Sequence, residues 1–230
     1  GPRAMAGAAL VGTRIYLAGG SAAPDASTAF SDVLTVDLGA ETPVWETVPG
    51  FPGPGRILPA VTARDGALYV FSGAELTAGS DGAPARRYLN DAYRYTPAKG
   101  WETLAPMPRP AVAGSAVPYG QNHLFVLSGD DGAHYERIGE LGSEHPGFSK
   151  DVLAYHPITD TWAALGTMPE GLVCAGAVTL GGRVVVAGGE DRPGHRSASA
   201  FAATLTPHKD RLGWLDYGVI GVYLGALVLV

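Results

Sequence analysis

The stretch Val184-Val185-Val186-Ala187-Gly188-Gly189 decides the fold, because three other stretches of the chain share its pattern. Each is a short apolar run that ends in small residues, and the three copies are Ile15-Tyr16-Leu17-Ala18-Gly19-Gly20, Leu68-Tyr69-Val70-Phe71-Ser72-Gly73 and Leu124-Phe125-Val126-Leu127-Ser128-Gly129. Their final glycines are 53, 56 and 60 residues apart. Glycine ends a strand where the backbone turns sharply or meets a neighbouring chain. A regular period of this size indicates a repeat architecture.

The rest of each repeat predicts three more strands. A second strand begins at an acidic residue (Asp32, Asp91, Asp151), and a tryptophan follows it (Trp45, Trp101, Trp162). A proline-rich turn and a strand of small residues complete the unit, whereas the fourth copy loses its tryptophan before an apolar tail. Four short strands at this period are typical of kelch repeats. We therefore predict an all-β fold, a partial kelch β-propeller of about four blades, each a four-stranded antiparallel sheet.

Composition narrows the function. The chain of 230 residues has a formal net charge of −6 and a sequence pI near 5.4, which argues against a nucleic-acid partner. A single cysteine, Cys174, excludes a disulfide framework, a zinc site of Cys-x-x-Cys type and an iron–sulfur cluster. His134 and His145 are eleven residues apart with no obvious third ligand, so we expect neither a metal nor a cofactor.

The C-terminal run from 217 to 230 contains no charged residue. Its length and its glycines favour the start of a transmembrane helix, and a terminal strand or helix of the core is the alternative. The predicted division is therefore propeller blades over residues 1–208, followed by a linker and the start of a membrane helix over 209–230. The first residue is Gly1 and not methionine, so we expect the chain to be a fragment of a longer protein.

The stretch Gly188-Gly189-Glu190-Asp191-Arg192-Pro193-Gly194-His195-Arg196-Ser197 resembles the Gly-Glu-x-x-Pro-Gly-x-Arg segment of the N-acetylneuraminate epimerases, the sialic-acid mutarotases. The resemblance extends over repeats two to four, roughly residues 51–197. The tail from Leu212 to Ile220 is similar to the start of a sodium/solute symporter, a domain joined to such propellers within the family. These resemblances imply an acidic sugar as the small-molecule partner and membrane attachment through the C-terminal segment. They also imply a periplasmic or extracellular propeller, with sodium bound only by transporter residues outside this sequence.

The same resemblance implies that Glu190 is the catalytic acid/base and Arg196 its partner. Mutarotation needs one group to take the proton of the anomeric hydroxyl and another to protonate the ring oxygen. A guanidinium keeps its proton, so we expect Arg196 to bind the sugar carboxylate or stabilise developing charge. His195 precedes it and is a candidate proton relay. A surface ion pair that only fastens the loop is the alternative for Glu190 and Arg196.

Three further residues are candidates for substrate binding. Arg56 and Arg109 each precede an inner strand, where a guanidinium could reach the central channel and bind a carboxylate. Structural pairing with a neighbouring blade is the alternative for both arginines. Asp130 follows the third strand end, and for it a turn-forming aspartate is the alternative. For the whole chain, the alternatives to a mutarotase are a non-catalytic module that binds a ligand or a protein, and a sensory domain of the transporter.

Overall fold

The computed structural model describes residues 1–79, 84–204 and 213–228. They form an all-β, four-blade arrangement in which each of the first three blades is a four-stranded antiparallel sheet. The first blade consists of β1 (Gly7–Val11), β2 (Arg14–Ala18), β3 (Val33–Asp37) and β4 (Trp45–Val48). The second consists of β5 (Ala60–Arg64), β6 (Ala67–Phe71), β9 (Ala92–Thr96) and β10 (Gly100–Leu104), and between β6 and β9 it carries a hairpin of β7 (Ala74–Ala78) and β8 (Pro84–Tyr88).

The third and fourth blades follow the same plan with different excursions. The third consists of β11 (Ser115–Tyr119), β12 (His123–Leu127), β13 (Asp151–His156) and β14 (Thr161–Thr167). Its long connection contains the helix α1 (Ile138–Leu141) between two short 3₁₀ turns, Tyr135–Arg137 and Gly142–Glu144. The fourth consists of β15 (Gly176–Leu180), β16 (Arg183–Ala187) and β19 (Ala200–Ala203), with a hairpin of β17 (Glu190–Arg192) and β18 (His195–Arg196) between β16 and β19.

A chain of backbone hydrogen bonds links the inner edges of the blades. The amide of Leu58 donates to Met5 at 2.7 Å, that of Ala113 to Leu58 at 2.9 Å, and that of Cys174 to Ala113 at 2.8 Å. All four residues have a positive φ, between 53° and 56°, which is a strained backbone conformation for residues other than glycine. This repeated conformation turns the chain into β1, β5, β11 and β15, which contact one another in sequence around the axis. The predicted all-β arrangement of about four blades is therefore confirmed.

Tryptophans fill two of the spaces between blades, as their position in the repeat predicts. Trp101 packs between the first two blades and donates its indole N–H to the Pro49 carbonyl at 2.6 Å. Trp162 packs on Phe71 between the second and third blades and donates to the Ala105 carbonyl at 2.9 Å. The corresponding space between the third and fourth blades is an apolar cleft of about 510 Å³. The fourth blade has three strands among the described residues, where the repeat predicts four.

The C-terminal segment forms the helix α2 (Trp214–Val228), whose residues 214–226 are exposed. Over residues 1–79, 84–204 and 213–228, no helix combines the length and apolar character needed to span a bilayer. The helical conformation agrees with the sequence, whereas the structure gives no support for the start of a transmembrane span. The predicted boundary at 208/209 lies outside the described residues.

Candidate active site

The blade-four hairpin brings Glu190 and Arg196 together. The two residues are direct partners in the β17–β18 register, so their side chains lie on the same face of the hairpin. Arg196 Nη1 is 3.1 Å from Glu190 Oε2. The turn closes through Gly194, whose φ of 77° suits glycine and whose amide donates to Glu190 Oε1 at 2.5 Å.

The two members of this pair differ in their exposure. The Glu190 side chain is 18% exposed, whereas that of Arg196 is 74% exposed. The carboxylate accepts a hydrogen bond from the Gly194 amide and forms an ion pair with Arg196, whose guanidinium remains largely exposed to solvent. Such an arrangement can bind an anionic ligand through arginine while the glutamate stays in place beside it.

Glu190 occupies a position that every blade repeats. It forms a two-way backbone bridge with Val173, and the equivalent bridges join Ala4 to Ser21, Ile57 to Ala74, and Val112 to Asp130. Ser21, Ala74, Asp130 and Glu190 therefore mark the same point in successive blades. A connection between the second and third strand of its blade continues from each of them, and we call the side of the molecule that carries these connections the loop face.

Asp130 is thus the counterpart of Glu190 in the adjacent blade. Its Oδ2 accepts a hydrogen bond from the Tyr88 hydroxyl at 2.6 Å, and its Oδ1 accepts one from the Gly132 amide at 2.9 Å. Burial raises the pKa of Tyr88 well above its usual range, and the hydrogen bond to Asp130 adds to this effect. Tyr88 therefore stays a neutral donor near physiological pH. The Gly132 amide bond agrees with the turn-forming alternative for Asp130, and the Tyr88 contact adds a second partner.

His195 is linked to the same hairpin by Asp191. Its Nδ1 is 2.6 Å from Asp191 Oδ1, and the imidazole side chain is 53% exposed. Burial alone would raise the pKa of Asp191, but the hydrogen bond and charge of His195 outweigh it and hold this pKa below its usual range. Sequence reasoning missed Asp191, although its position four residues before His195, across the Pro-Gly turn, was a usable signal.

Arg56 is fully buried, and its guanidinium already has protein partners. It forms a bidentate pair with Asp91, with Nη2 2.8 Å from Oδ2, and it donates to the carbonyls of Ser72 at 3.0 Å and Pro54 at 3.3 Å. Its guanidinium also lies 4.7 Å from the Phe51 ring centre. This geometry favours structural pairing over substrate contact. The partner, Asp91, belongs to the second blade, which Arg56 itself precedes, and not to a neighbouring blade.

Arg109 makes the equivalent contacts one blade further on. Its Nε donates to Asp151 Oδ2 at 3.0 Å, its Nη1 to the Pro110 carbonyl at 2.7 Å, and its Nη2 to the Ser128 carbonyl at 3.2 Å. The side chain is 15% exposed. As with Arg56, the serine carbonyl and the aspartate lie at the two ends of a loop-face connection, so the structure also favours a structural role for Arg109.

The inner strands border an open axial cavity of about 380 Å³, lined largely by small residues and by Cys174. Cys174 is exposed there. Burial raises the pKa of its thiol, the charge of Glu190 raises it further, and Arg196 opposes this. Glu190 and Arg196 are not among the residues that line this cavity, and the link between them and it is the bridge of Glu190 to Val173, the neighbour of Cys174.

Comparisons with known proteins agree with this architecture. The chain is 29% identical over 221 residues to the N-acetylneuraminate epimerase of Haemophilus influenzae (strain PittEE), which covers 86% of this chain and 56% of the relative. It is 28% identical over 242 residues to the N-acetylneuraminate epimerase of Pasteurella multocida (strain Pm70), covering 95% of this chain and 60% of the relative. The chain thus spans somewhat more than half the length of these curated relatives.

A solved structure carries the same fold. The structure of YjhT superimposes with a TM-score of 0.69 at 21% identity, covering 92% of this chain and 67% of that one. No family model matches the sequence. The predicted similarity to N-acetylneuraminate epimerases is therefore supported by named relatives, and nothing in these comparisons shows a symporter.

Proposed function

We propose that this chain carries the catalytic hairpin of a mutarotase that acts on N-acetylneuraminate or a related acidic sugar. The observation that supports this most directly is the Glu190–Arg196 pair, held in register at 3.1 Å, with Glu190 bridged to Val173 next to the cavity residue Cys174. The named relatives, at 28 and 29% identity, support the same class of isomerase.

In the proposed reaction, ring opening transfers one proton and breaks one bond, and ring closure reverses both steps. A base removes the proton of the anomeric hydroxyl, the bond from the anomeric carbon to the ring oxygen breaks, and the ring oxygen takes up a proton. Rotation and reclosure then give the other anomer. Glu190 transfers a proton at one of these oxygens. Arg196, with its exposed guanidinium, binds the sugar carboxylate in a bidentate manner and so fixes the ring beside Glu190.

A second proton-transfer group has to come from another blade, because Glu190 and Arg196 lie on the same face of one hairpin. Asp130 meets this requirement, since it has the same backbone position one blade away and holds its carboxylate between Tyr88 and Gly132. In this proposal Asp130 contacts the substrate hydroxyl, and His195 lines the edge of the site next to Arg196. Arg56 and Arg109 hold the loops in place and do not touch the sugar.

Saturation-transfer NMR of N-acetylneuraminate anomers tests the proposal directly. We expect the wild-type chain to accelerate anomer exchange and Glu190→Gln to reduce that acceleration by about a hundredfold or more, since general acid–base groups typically contribute ~10²–10⁴-fold. Arg196→Ala should weaken sugar binding as well. The control is Glu46→Gln, which removes an exposed ion pair with Arg14 in the first blade and should leave exchange unchanged.

The outcomes of this experiment separate the two main functions. Exchange that depends on Glu190 supports a mutarotase. Saturable sugar binding without accelerated exchange would replace it with a non-catalytic binding module. If the wild-type chain neither binds the sugar nor accelerates its exchange, the proposed substrate is wrong.

We further propose that α2 attaches the propeller to a membrane, with the blades outside the cytoplasm and a transporter domain as neighbour. The support is the sequence of the tail, which carries no charge after Asp216, and the exposure of its apolar side chains, among them Val219 and Val222 at 70 and 75%. Flotation of the chain with liposomes, compared with a chain ending at residue 204, tests the attachment. Equal flotation of both chains would refute it.

A further inference from the structure

An arginine–aspartate clamp closes the loop-face connection in each of the first three blades. Arg3 donates to the Gly19 carbonyl at 2.8 Å and lies 2.5 Å from Asp32. Arg56 and Arg109 repeat these contacts with a strand-end carbonyl and with the aspartate that follows the connection. The clamp therefore joins the two ends of each connection, whatever its length.

The fourth blade replaces both members of the clamp. Met107-Pro108-Arg109 corresponds to Met168-Pro169-Glu170, so a glutamate stands where the third blade has its clamp arginine, whereas Arg3 and Arg56 directly precede their bridge residues. The aspartate position is Ser199, identified because Gly188 donates its amide to the Ser199 carbonyl at 2.9 Å, as Ser128 does to Asp151. The connection that lacks the clamp is the one that carries Glu190 and Arg196.

Glu170 makes a different contact, directed at the end of the hairpin. Its Oε2 accepts a hydrogen bond from the Ser197 hydroxyl at 2.8 Å, and the Ser199 amide donates to the same hydroxyl at 3.2 Å. The Ser197 amide in turn donates to the Gly189 carbonyl at 3.0 Å. Ser197 follows Arg196 directly, and Gly189 precedes Glu190, so this network fastens the hairpin at its base on both sides.

We propose that Glu170 is a positioning residue which, through Ser197, holds Arg196 against Glu190 in the site. The expected effect on anomer exchange rests on the proposed function, whereas the effect on the hairpin itself does not. An arginine at position 170 would bring a second guanidinium to the hairpin, and it would compete with Arg196 for the Glu190 carboxylate. A carboxylate avoids that competition and accepts the Ser197 hydroxyl bond, which is strengthened by its charge.

The test uses Glu170→Ala, Ser197→Ala and the double variant in the full chain. We expect each single variant to lower the exchange rate about tenfold, since misplacing a reacting group by about 1 Å can cost ~100-fold. The double variant should be no worse than either single one, because both remove the same contact. Glu170→Gln keeps an oxygen acceptor and should recover most of the rate, whereas additive losses would refute the coupling through Ser197.

Restoring the clamp separates positioning from stability. The double variant Glu170→Arg/Ser199→Asp reproduces the arrangement of the third blade, so we expect a midpoint of thermal unfolding at or above that of wild type, together with a loss of exchange activity. Arg3→Ala is the matched control, since it breaks the clamp of the first blade, whose connection carries no residue of the proposed site, and it should lower the midpoint with little effect on kcat. Full activity in the restored-clamp variant would overturn the proposal.

Amide hydrogen exchange keeps the inference independent of the enzyme assay. We expect Glu170→Ala to accelerate exchange at the Gly194 and Ser197 amides, which donate within the hairpin, and to leave the Leu58 and Ala113 amides unchanged. If the wild-type chain has no mutarotase activity, the proposed function fails while this measurement still decides the role of Glu170. Unchanged protection at Gly194 and Ser197 would refute that role in either case.

Discussion

Removing the Arg56 guanidinium should destabilise the protein more than any other clamp substitution. Arg56 is fully buried, and Arg56→Ala leaves the Asp91 carboxylate, whose side chain is 27% exposed, without its charged partner. Breaking a buried ion pair by removing one partner costs about 3–5 kcal/mol. Since Asp91 keeps some contact with solvent and a hydrogen bond from the Tyr93 hydroxyl at 2.7 Å, we expect the lower part of that range, about 3 kcal/mol.

Urea unfolding at neutral pH measures this loss, with Arg109→Ala as the comparison. The Asp151 side chain is 47% exposed and that of Arg109 is 15% exposed, so solvent screens this pair and we expect a cost of about 1 kcal/mol. A cost for Arg56→Ala that is equal to or smaller than that for Arg109→Ala would refute the reasoning from burial.

Acid should narrow the difference between wild type and Arg56→Ala. Burial alone would raise the pKa of Asp91, but its hydrogen bonds and ion pair with Arg56 outweigh this and lower it in the folded state. A carboxyl with a lowered folded pKa contributes stability that is complete above its unfolded pKa, near ~3.9, and is lost as the pH falls through the folded pKa. The gap should therefore be constant at neutral pH and shrink below about pH 4. A gap independent of pH down to the acid transition would show that Asp91 is not the relevant partner.

Three other changes probe the blade contacts and the site. Trp162→Phe should keep most of the packing but lose the indole bond to Ala105, at a cost of about 1 kcal/mol in urea unfolding, and a cost near zero would contradict that bond. Tyr88→Phe removes the hydroxyl donor to Asp130 and should slow anomer exchange at least several-fold without a comparable loss of stability, whereas an unchanged rate would remove Tyr88 from the site. Cys174 is exposed, but its neighbours partly desolvate the thiol, and this desolvation and the charge of Glu190 raise its pKa. Cys174 should therefore react slowly with iodoacetamide at pH 7. Glu190→Gln should speed that alkylation, and an equal rate in both proteins would place the two groups too far apart to interact.

The sequence predicts the blade plan well because its signals are local and repeated. Strand ends such as Gly188-Gly189 require backbone conformations that small residues adopt, and Gly189 has a φ of 98° next to the Val173 carbonyl. The tryptophans are similarly informative, since an indole at a fixed position in each unit has to be buried somewhere. Trp45 shows the limit of that inference, because it is 50% exposed on the first blade.

The contacts between distant residues could not be derived in the same way. Arg56 and Asp91 are 35 positions apart, and nothing in the local sequence distinguishes an arginine that closes a loop from one that binds a ligand. Tyr88 was missed because its hairpin, β7–β8, interrupts the repeat, and among the described residues only the fourth blade has a hairpin, β17–β18, at the equivalent point. The pairing of Glu190 with Arg196 was accessible from the sequence because a Pro-Gly turn between them brings the two strands of a short hairpin together.

A repeated fold locates function at the positions where one copy departs from the others. The bridge position is Ser21 in the first blade and Ala74 in the second, but it is acidic in the third and fourth, where Asp130 and Glu190 stand. The backbone is equivalent at all four points, so the change affects which side chains the loop face carries and leaves the blade geometry intact. The replacement of the arginine clamp by Glu170 occurs in the blade that carries Glu190, so two departures from the repeat coincide at one hairpin. Loss of a clamp does not by itself supply a hydrogen bond to Ser197, and that bond is the reason why we propose that the fourth blade positions a site.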